Sequence, residues 1–453
     1  MSISFWSILV VILMLGLLVT VHELGHYFVA KMLKIKAYEV SIFVGPSLVS
    51  WRRNGVEYEI RSIPIGAYVR FTDIDEEGNA ITSDDPSELV NSPRWKRLLV
   101  ALAGPFMNLV LGFILFVCLY SFTGYSSLDV ADAMYDSQFY NVLAETNQEV
   151  MTSDTVIAIN GKRVFSYIEY SYEMSEGISS IDDVVLTLRS RATGEVYDLT
   201  LTPTINTRPM LGITHYPDTD NRYNGWEVIE VNESQNNGSP VLHVGDYLTH
   251  VNGVSVASED FEEFFYSMNE GDTMELTYIR NGVEHTDPCV KTMITYANQR
   301  GVIFYSYRVT DFKTFMGAVK AAAVMPLSVI RLSVSVIQDA FEGQVEAYNV
   351  VSGPVGMTSA VVDVVDDVDT SWSYKAITVL TLAAFISVGL VFTNMLPIPG
   401  LDGIQLILII IEMIIGHSTS KKTENIINGI GFCILIALVI FAFTSDIIRI
   451  ILE

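Results

Sequence analysis

The chain has 453 residues, half of them hydrophobic and only 17% charged, with 52 acidic against 27 basic side chains and a mean hydropathy of +0.36. Disorder, collagen and a disulfide-rich secreted scaffold are excluded by these values. A net charge of −25 repels phosphates, so no nucleic-acid partner is expected. A chain both this apolar and this acidic must keep the two properties apart along its length.

Residues 5–21 form a first apolar run that continues without a turn signal to Lys31. No basic segment precedes it and no small-residue cleavage site follows, so it reads as a retained membrane span (1–36) rather than a signal peptide. Residues 37–93 form a connecting segment that includes an acidic loop. A second span within 94–123 runs from Leu98 to about Phe122, behind Arg94, Lys96 and Arg97. A repeat follows: Asp154 to Asn160–Gly161, then Asp246 to Asn252–Gly253. Each copy is a short alternating strand ending in an Asn-Gly turn, which predicts two tandem modules over 124–220 and 221–310. Residues 126–310 carry 28 acidic and 10 basic side chains, so most of the net negative charge belongs to them.

Residues 311–373 hold an amphipathic helix from Asp311 to about Gly343, with a break expected at Pro326, and a turn at Ser352–Gly356. Residues 374–416 form a predominantly apolar stretch of 43 residues, interrupted between Asn394 and Gly403. One helix of that length spans about 65 Å, twice the ~30 Å of a bilayer core, so a single span broken at Pro397 and Pro399 is expected. Irregular backbone at membrane depth is tolerated where it is buried in protein or lines a wet cavity. Residues 417–453 hold a loop and a last span, Ile426 to Phe443, behind Lys421 and Lys422. The basic residues flanking the spans predict four crossings, with both termini and the acidic modules outside. Cys118 and Cys433 fall in apolar runs and only Cys289 in a polar stretch, so no disulfide framework is expected.

The chemistry concentrates in His22–Glu23–Leu24–Gly25–His26. Residues four apart share a helix face, so both imidazoles can ligate one metal with Glu23 beside it as general base. Imidazoles with a carboxylate and an open position suit Zn2+, which lowers the pKa of bound water to about 7. Ionisable residues inside a span are costly, which favours a functional role. The other histidines lie outside the apolar spans. Asp402 is therefore the candidate third ligand, its alternative being an N-cap of the helix 404–416. Asn394 either bonds the broken backbone or lines a substrate groove.

The motif at His22–His26, together with Asn394, Pro397, Pro399, Leu401, Asp402 and Gly403, resembles the site-2 protease family of intramembrane zinc metalloproteases. Gly104–Pro105 with Asn108, and the stretch Trp51 to Val69, support the resemblance, which covers essentially the whole chain. It implies a polytopic α-helical membrane protein with four transmembrane helices, the third broken, a membrane-associated β-hairpin region and two tandem PDZ-like α+β domains. It further implies zinc held by His22, His26 and Asp402, and a water activated by Glu23. Asn394, Pro397 and Pro399 would bind the unwound substrate. Residues 55–71 offer a β edge to which that substrate can add as a strand. The implied partners are membrane lipid and single-span membrane proteins, among them anti-sigma factors and remnant signal peptides trimmed beforehand by another protease. The implied place is a bacterial inner membrane, with the modules periplasmic and the active site toward the cytoplasm. The modules lack a clear glycine-rich carboxylate-binding loop, and Ser153 stands where a glycine is expected. The alternative reading is a non-catalytic, membrane-anchored PDZ scaffold or chaperone.

Overall fold

The computed structural model describes the chain apart from residues 1–4, 74–83, 146–152, 176–181, 218–221, 233–240, 270, 291, 344–347, 349–364, 366–370, 418–420 and 453. The turn at Ser352–Gly356 and the middle of the acidic loop lie outside the described residues. In chain order the elements begin with α1 (Phe5–Met32), β1 (Glu39–Arg53), β2 (Val56–Arg70) and α2 (Arg94–Thr123). The modules hold β3 (Tyr125–Ala133), α3 (Gln138–Glu145), β4 (Thr155–Ile159), β5 (Lys162–Arg163), α4 (Tyr167–Ser175), β6 (Val184–Arg189) and β7 (Val196–Leu201). They continue with β8 (Ile205–Met210), β9 (Ile213–Pro217), β10 (Trp226–Val231), β11 (Tyr247–Val251), β12 (Val254–Ser255) and α5 (Phe261–Ser267). Then come β13 (Thr273–Arg280), β14 (Val283–Val290), β15 (Thr292–Ala297) and β16 (Val302–Tyr307). The chain finishes with α6 (Phe312–Phe341), α7 (Trp372–Asn394), α8 (Asp402–Ile415) and α9 (Lys421–Leu452).

Two compact units result. One comprises Met1–Asp129, Arg163–Gly177 and Phe304–Glu453, the other Val130–Lys162 and Ile178–Ile303. In the second unit each Asn-Gly pair turns with positive φ, 47° and 79° at Asn160–Gly161 and 49° and 78° at Asn252–Gly253. These values suit a tight hairpin that follows the strand twist. Each asparagine side chain then accepts the backbone N–H of a neighbouring strand, Val185 in one copy and Glu275 in the other. Ser153 takes a φ of +84°, matching +89° at Gly245 in the second copy, so the serine occupies a left-handed position that glycine would hold more cheaply. One sheet has the order β16-β3-β4-β6-β7, the other β14-β13-β11-β10-β9, and β8 pairs with β15. Along the chain the second sheet thus lies between two parts of the first. Its core is built by alternation: Met274, Leu276 and Tyr278 of β13 point inward onto Leu242, Leu248 and Val251.

In the first unit, α2 packs on α1, α6, α7 and α8. Phe116 and Leu119 of α2 meet Ala322, Met325 and Val329 of α6 and Ala384 and Val388 of α7. Helix α6 runs unbroken through Pro326, contrary to the expected break. Proline removes one internal hydrogen bond but ends a helix only if nothing else holds it, and here Met325 and Pro326 are buried in that contact. A capping box at Asp311 and Thr314 starts the helix. The 374–416 stretch does divide, into α7 and α8, with a loop through Pro397 and Pro399. By length and apolarity five helices among the described residues are able to cross a membrane, where the sequence led us to expect four; the additional one is α6. The protein is accordingly a multi-pass membrane protein with β-sheet regions.

The hairpin β1–β2 folds back on itself. Residues 39–42 pair on one side with 57–60 and on the other with 67–70. This leaves 67–70 at a sheet edge, with no further strand paired to it among the described residues. The sheet is anchored on α1 through Tyr27, Ala37 and Val40.

Candidate metal centre

His22 and His26 stand one turn apart on α1 and face a single stripe of α2 formed by Val100, Gly104 and Asn108. His26 Nδ1 lies 2.7 Å from the Val100 carbonyl oxygen and donates to it, which leaves Nε2 with its lone pair free. His22 Nδ1 lies 3.3 Å from the Asn108 side-chain amide. Between these two contacts the helices close in because neither facing residue has a side chain in the way. A Cβ on Gly25 would sit 2.5 Å from the Ala103 carbonyl oxygen, and one on Gly104 2.3 Å from His26 Nε2 and 2.7 Å from His22 Nε2.

The third member arrives from far along the chain. Asp402 opens α8, but the cap position is Leu401, with no side-chain capping bond. The carboxylate turns to the histidines instead: its Oδ2 is 3.0 Å from His22 Nε2 and 3.4 Å from His26 Nε2, while the two Nε2 atoms are 3.2 Å apart. Among the described residues this is the one cluster of three metal-donor side chains. Tetrahedral zinc, with bonds of about 2.0–2.2 Å to nitrogen and oxygen, holds its ligand atoms about 3.3–3.6 Å apart, close to this triangle. Asp402 Oδ2 is also buried, and the groups facing it are the two imidazole nitrogens. A buried carboxylate oxygen converging with two imidazole nitrogens, with glycine in place of a side chain alongside, fits a cation.

Glu23 is half-buried, within electrostatic range of His26, His22 and Asp402, and accepts the backbone N–H of Val69. The edge segment 67–70 therefore runs beside it. That edge is held from beneath by Glu39, whose carboxylate accepts from Arg61 at 2.9 Å, from Arg70 at 3.1 Å and from Tyr68. Burial alone would raise the Glu39 carboxyl, but the bonds from Tyr68, Arg70 and Arg61 outweigh it and hold it below its ordinary range. A depressed carboxyl stabilises the fold above its unfolded value of about 4.3 and loses that contribution as pH falls through its folded value. Amide protection factors across 67–70, taken relative to intrinsic exchange at each pH, should consequently fall in native protein below about pH 4. In Glu39→Gln that fall should vanish; an identical pH profile in both would discard the network.

Asn394 is the last residue of α7, half-buried, and its side chain makes no hydrogen bond among the described residues. Pro397 is exposed, whereas Pro399 is buried against Gly431 of α9. Beside Ala103 lies an apolar cavity of about 550 Å³ lined by residues including Val29, Leu102, Phe106, Val391 and Met395.

Helix α8 is fixed at its far end. Arg97 of α2 donates to the buried Glu412 at 2.8 Å, and Arg94 to the Gly416 carbonyl oxygen at 2.8 Å. Leu406 and Ile409 pack on Ala101 between these bonds and Asp402. Removing one partner leaves a buried charge, so Arg97→Ala should destabilise by about 3 kcal/mol. The apolar double replacement Arg97→Met with Glu412→Leu should recover most of it in thermal unfolding. No loss in the single variant would refute the clamp.

The sequence reading named His22, Glu23, His26, Asp402, Asn394, Pro397 and Pro399 as site residues, cited Gly104, Asn108 and the stretch to Val69 only in support of the resemblance, and gave no site role to Val100 or the Arg97–Glu412 pair. Two of these had a visible signal, a Gly-Pro pair and an asparagine inside an otherwise apolar span. Val69 and Val100 act through backbone atoms, which carry no signal in residue type.

A family model described as peptidase family M50 matches residues 10–438. A "putative zinc metalloprotease" of Clostridium acetobutylicum is 24% identical over 447 residues, covering 98% of each chain. Another protein of that name, from Vibrio cholerae, is 26% identical over 477 residues, covering 98% of this chain and 99% of its own. The regulator of sigma E protease of Haemophilus influenzae is 22% identical over 473 residues, covering 98% and 99%.

Proposed function

Because the chain belongs to peptidase family M50, the site-2 proteases, and is a zinc metalloprotease, we propose that it hydrolyses single-span membrane proteins within their apolar segments. The observation that carries this reading is the donor triangle of His22, His26 and Asp402, assembled where the longest apolar stretch breaks. In this reading those three residues hold the ion, which when bound supplies Lewis acidity and lowers the pKa of a water toward neutrality. Glu23 takes a proton from the attacking water and passes it to the leaving amine, so that water adds across the peptide bond. The substrate helix hides its carbonyls in its own hydrogen bonds and must first unwind. The open edge at 67–70, next to Glu23, holds the unwound strand by backbone pairing. Asn394, with its amide uncommitted, hydrogen-bonds that backbone, and the Pro397–Pro399 loop shapes the opening. The apolar cavity beside Ala103 accommodates the rest of the segment.

Four of the five long helices span the membrane in this reading. The last turns of α6 are committed elsewhere: Arg331 pairs with Glu169 at 3.5 Å and donates to the Arg163 carbonyl oxygen, and Tyr172 bonds Asp339. A helix tied by charges to the outward segment 163–177 lies at the membrane surface. The modules, PDZ-like in their strand and turn pattern, act as a size filter that admits substrates already trimmed by another protease. Anti-sigma factors and remnant signal peptides of a bacterial inner membrane are the substrate class, the former in keeping with the name of the Haemophilus influenzae relative.

A single-span reporter reconstituted in bilayers with the zinc-loaded protein tests the proposal. Mass spectrometry should place the cut inside the apolar segment, and chelation should abolish it. Cuts confined to the reporter's soluble portions would refute intramembrane cleavage.

A further inference from the structure

We infer that Asn108 is a positioning residue that sets the tautomer of His22 and thereby aims its Nε2 lone pair at the metal. The inference rests on the ligand assignment proposed above. A histidine that binds metal through Nε2 carries its proton on Nδ1, and that proton needs an acceptor. For His26 the acceptor is the Val100 carbonyl oxygen, which can only accept, so its tautomer follows from the backbone. His22 has no such carbonyl. Two turns along the same stripe of α2, the group facing its Nδ1 is the Asn108 amide, at 3.3 Å.

Asn108 is fully buried, and its side-chain oxygen Oδ1 has no hydrogen-bond partner. The amide nitrogen is the atom that faces His22, an arrangement suited to an imidazole protonated on Nε2. A half-turn of the amide about its Cβ–Cγ bond exchanges oxygen and nitrogen in the same space. It brings Oδ1 against Nδ1–H, gives the oxygen a donor in exchange for the contact the amide nitrogen makes now, and leaves Nε2 unprotonated. The asparagine backbone cannot drift away, because Ser387 of α7 donates to its carbonyl oxygen at 2.9 Å. One residue of α2 thus joins a ligand on α1 to the helix that ends in Asn394.

The full-length protein, with Asn108→Leu, Asn108→Asp and His22→Ala, tests this by two readouts. Chelator competition measures zinc affinity, and 15N chemical shifts of labelled histidine report the tautomer in the zinc-loaded protein. Leucine fills the same volume but cannot accept, so affinity should fall about 10- to 100-fold. Aspartate accepts from Nδ1–H, so affinity should stay close to native. Native protein should show His22 protonated on Nδ1. Native affinity in the leucine variant, an equal loss in the aspartate variant, or Nε2 protonation in the native protein would each overturn the inference. Should the leucine variant not fold, the aspartate variant and the native tautomer still decide. His22→Ala separates the two levels: undiminished zinc affinity in that variant would remove the ligand assignment itself.

Discussion

Gly104→Ala is expected to abolish zinc binding and cleavage together while leaving the helices intact. The added methyl would lie 2.3 Å from His26 Nε2 and 2.7 Å from both Nε2 and Cε1 of His22, in the space a shared ion needs. Rotamer changes give little relief. His26 is held by its bond to the Val100 carbonyl oxygen, one turn back on the helix that carries the new methyl. Helix α2 cannot retreat easily either, since Ser387 bonds the Asn108 carbonyl oxygen and the α2–α6–α7 contact is buried. Overpacking of a rigid contact costs about 1–3 kcal/mol. Here it is relieved by displacing a histidine, so affinity should drop by about 100-fold or more, since each 1.4 kcal/mol is tenfold. Metal analysis after dialysis should find essentially no zinc, with unchanged far-ultraviolet circular dichroism. One tightly bound zinc per chain in the variant would refute this account of the stripe.

Glu23→Gln should separate binding from chemistry. Glutamine keeps the acceptor for the Val69 N–H and is not one of the three donors, so zinc content and substrate KM should stay near native. Loss of the base should lower kcat by about 10²- to 10⁴-fold. The contrast with Gly104→Ala is diagnostic, because one variant is inactive with its metal and the other inactive without it. Equal cleavage by Glu23→Gln and native protein would remove the proposed general base.

Much of this is legible in the sequence. The apolar runs marked α1, α2, α7 and α9, because about 20 uncharged residues in sequence have few other uses in water. The Asn-Gly turns marked both module hairpins, because the required positive φ is a property of those two residue types. One expected feature needed revision, and one register had no signal in the sequence. Pro326 did not break α6, since buried neighbours hold the helix across the missing hydrogen bond. The hairpin at residues 39–70 folded back so that 39–42 pairs on both sides, a register set by Glu39 gathering Arg61, Arg70 and Tyr68 around one carboxylate.

The placement of acid and oil along the chain, and the local pairing of His22 with His26, follow from sequence alone. Hydropathy decides which segments leave water, and a helix of 3.6 residues per turn puts positions four apart on one face in any fold. The rest of the centre depended on tertiary structure. Asp402 lies 376 residues beyond His26, and by sequence it was the candidate third ligand with a helix cap as the alternative. Its side chain turned to the histidines because α8 is clamped on α2 through Arg97 and Glu412, and because Gly25 and Gly104 let α1 and α2 approach. Distances between groups far apart in sequence are set by packing, and packing is a property of the whole fold.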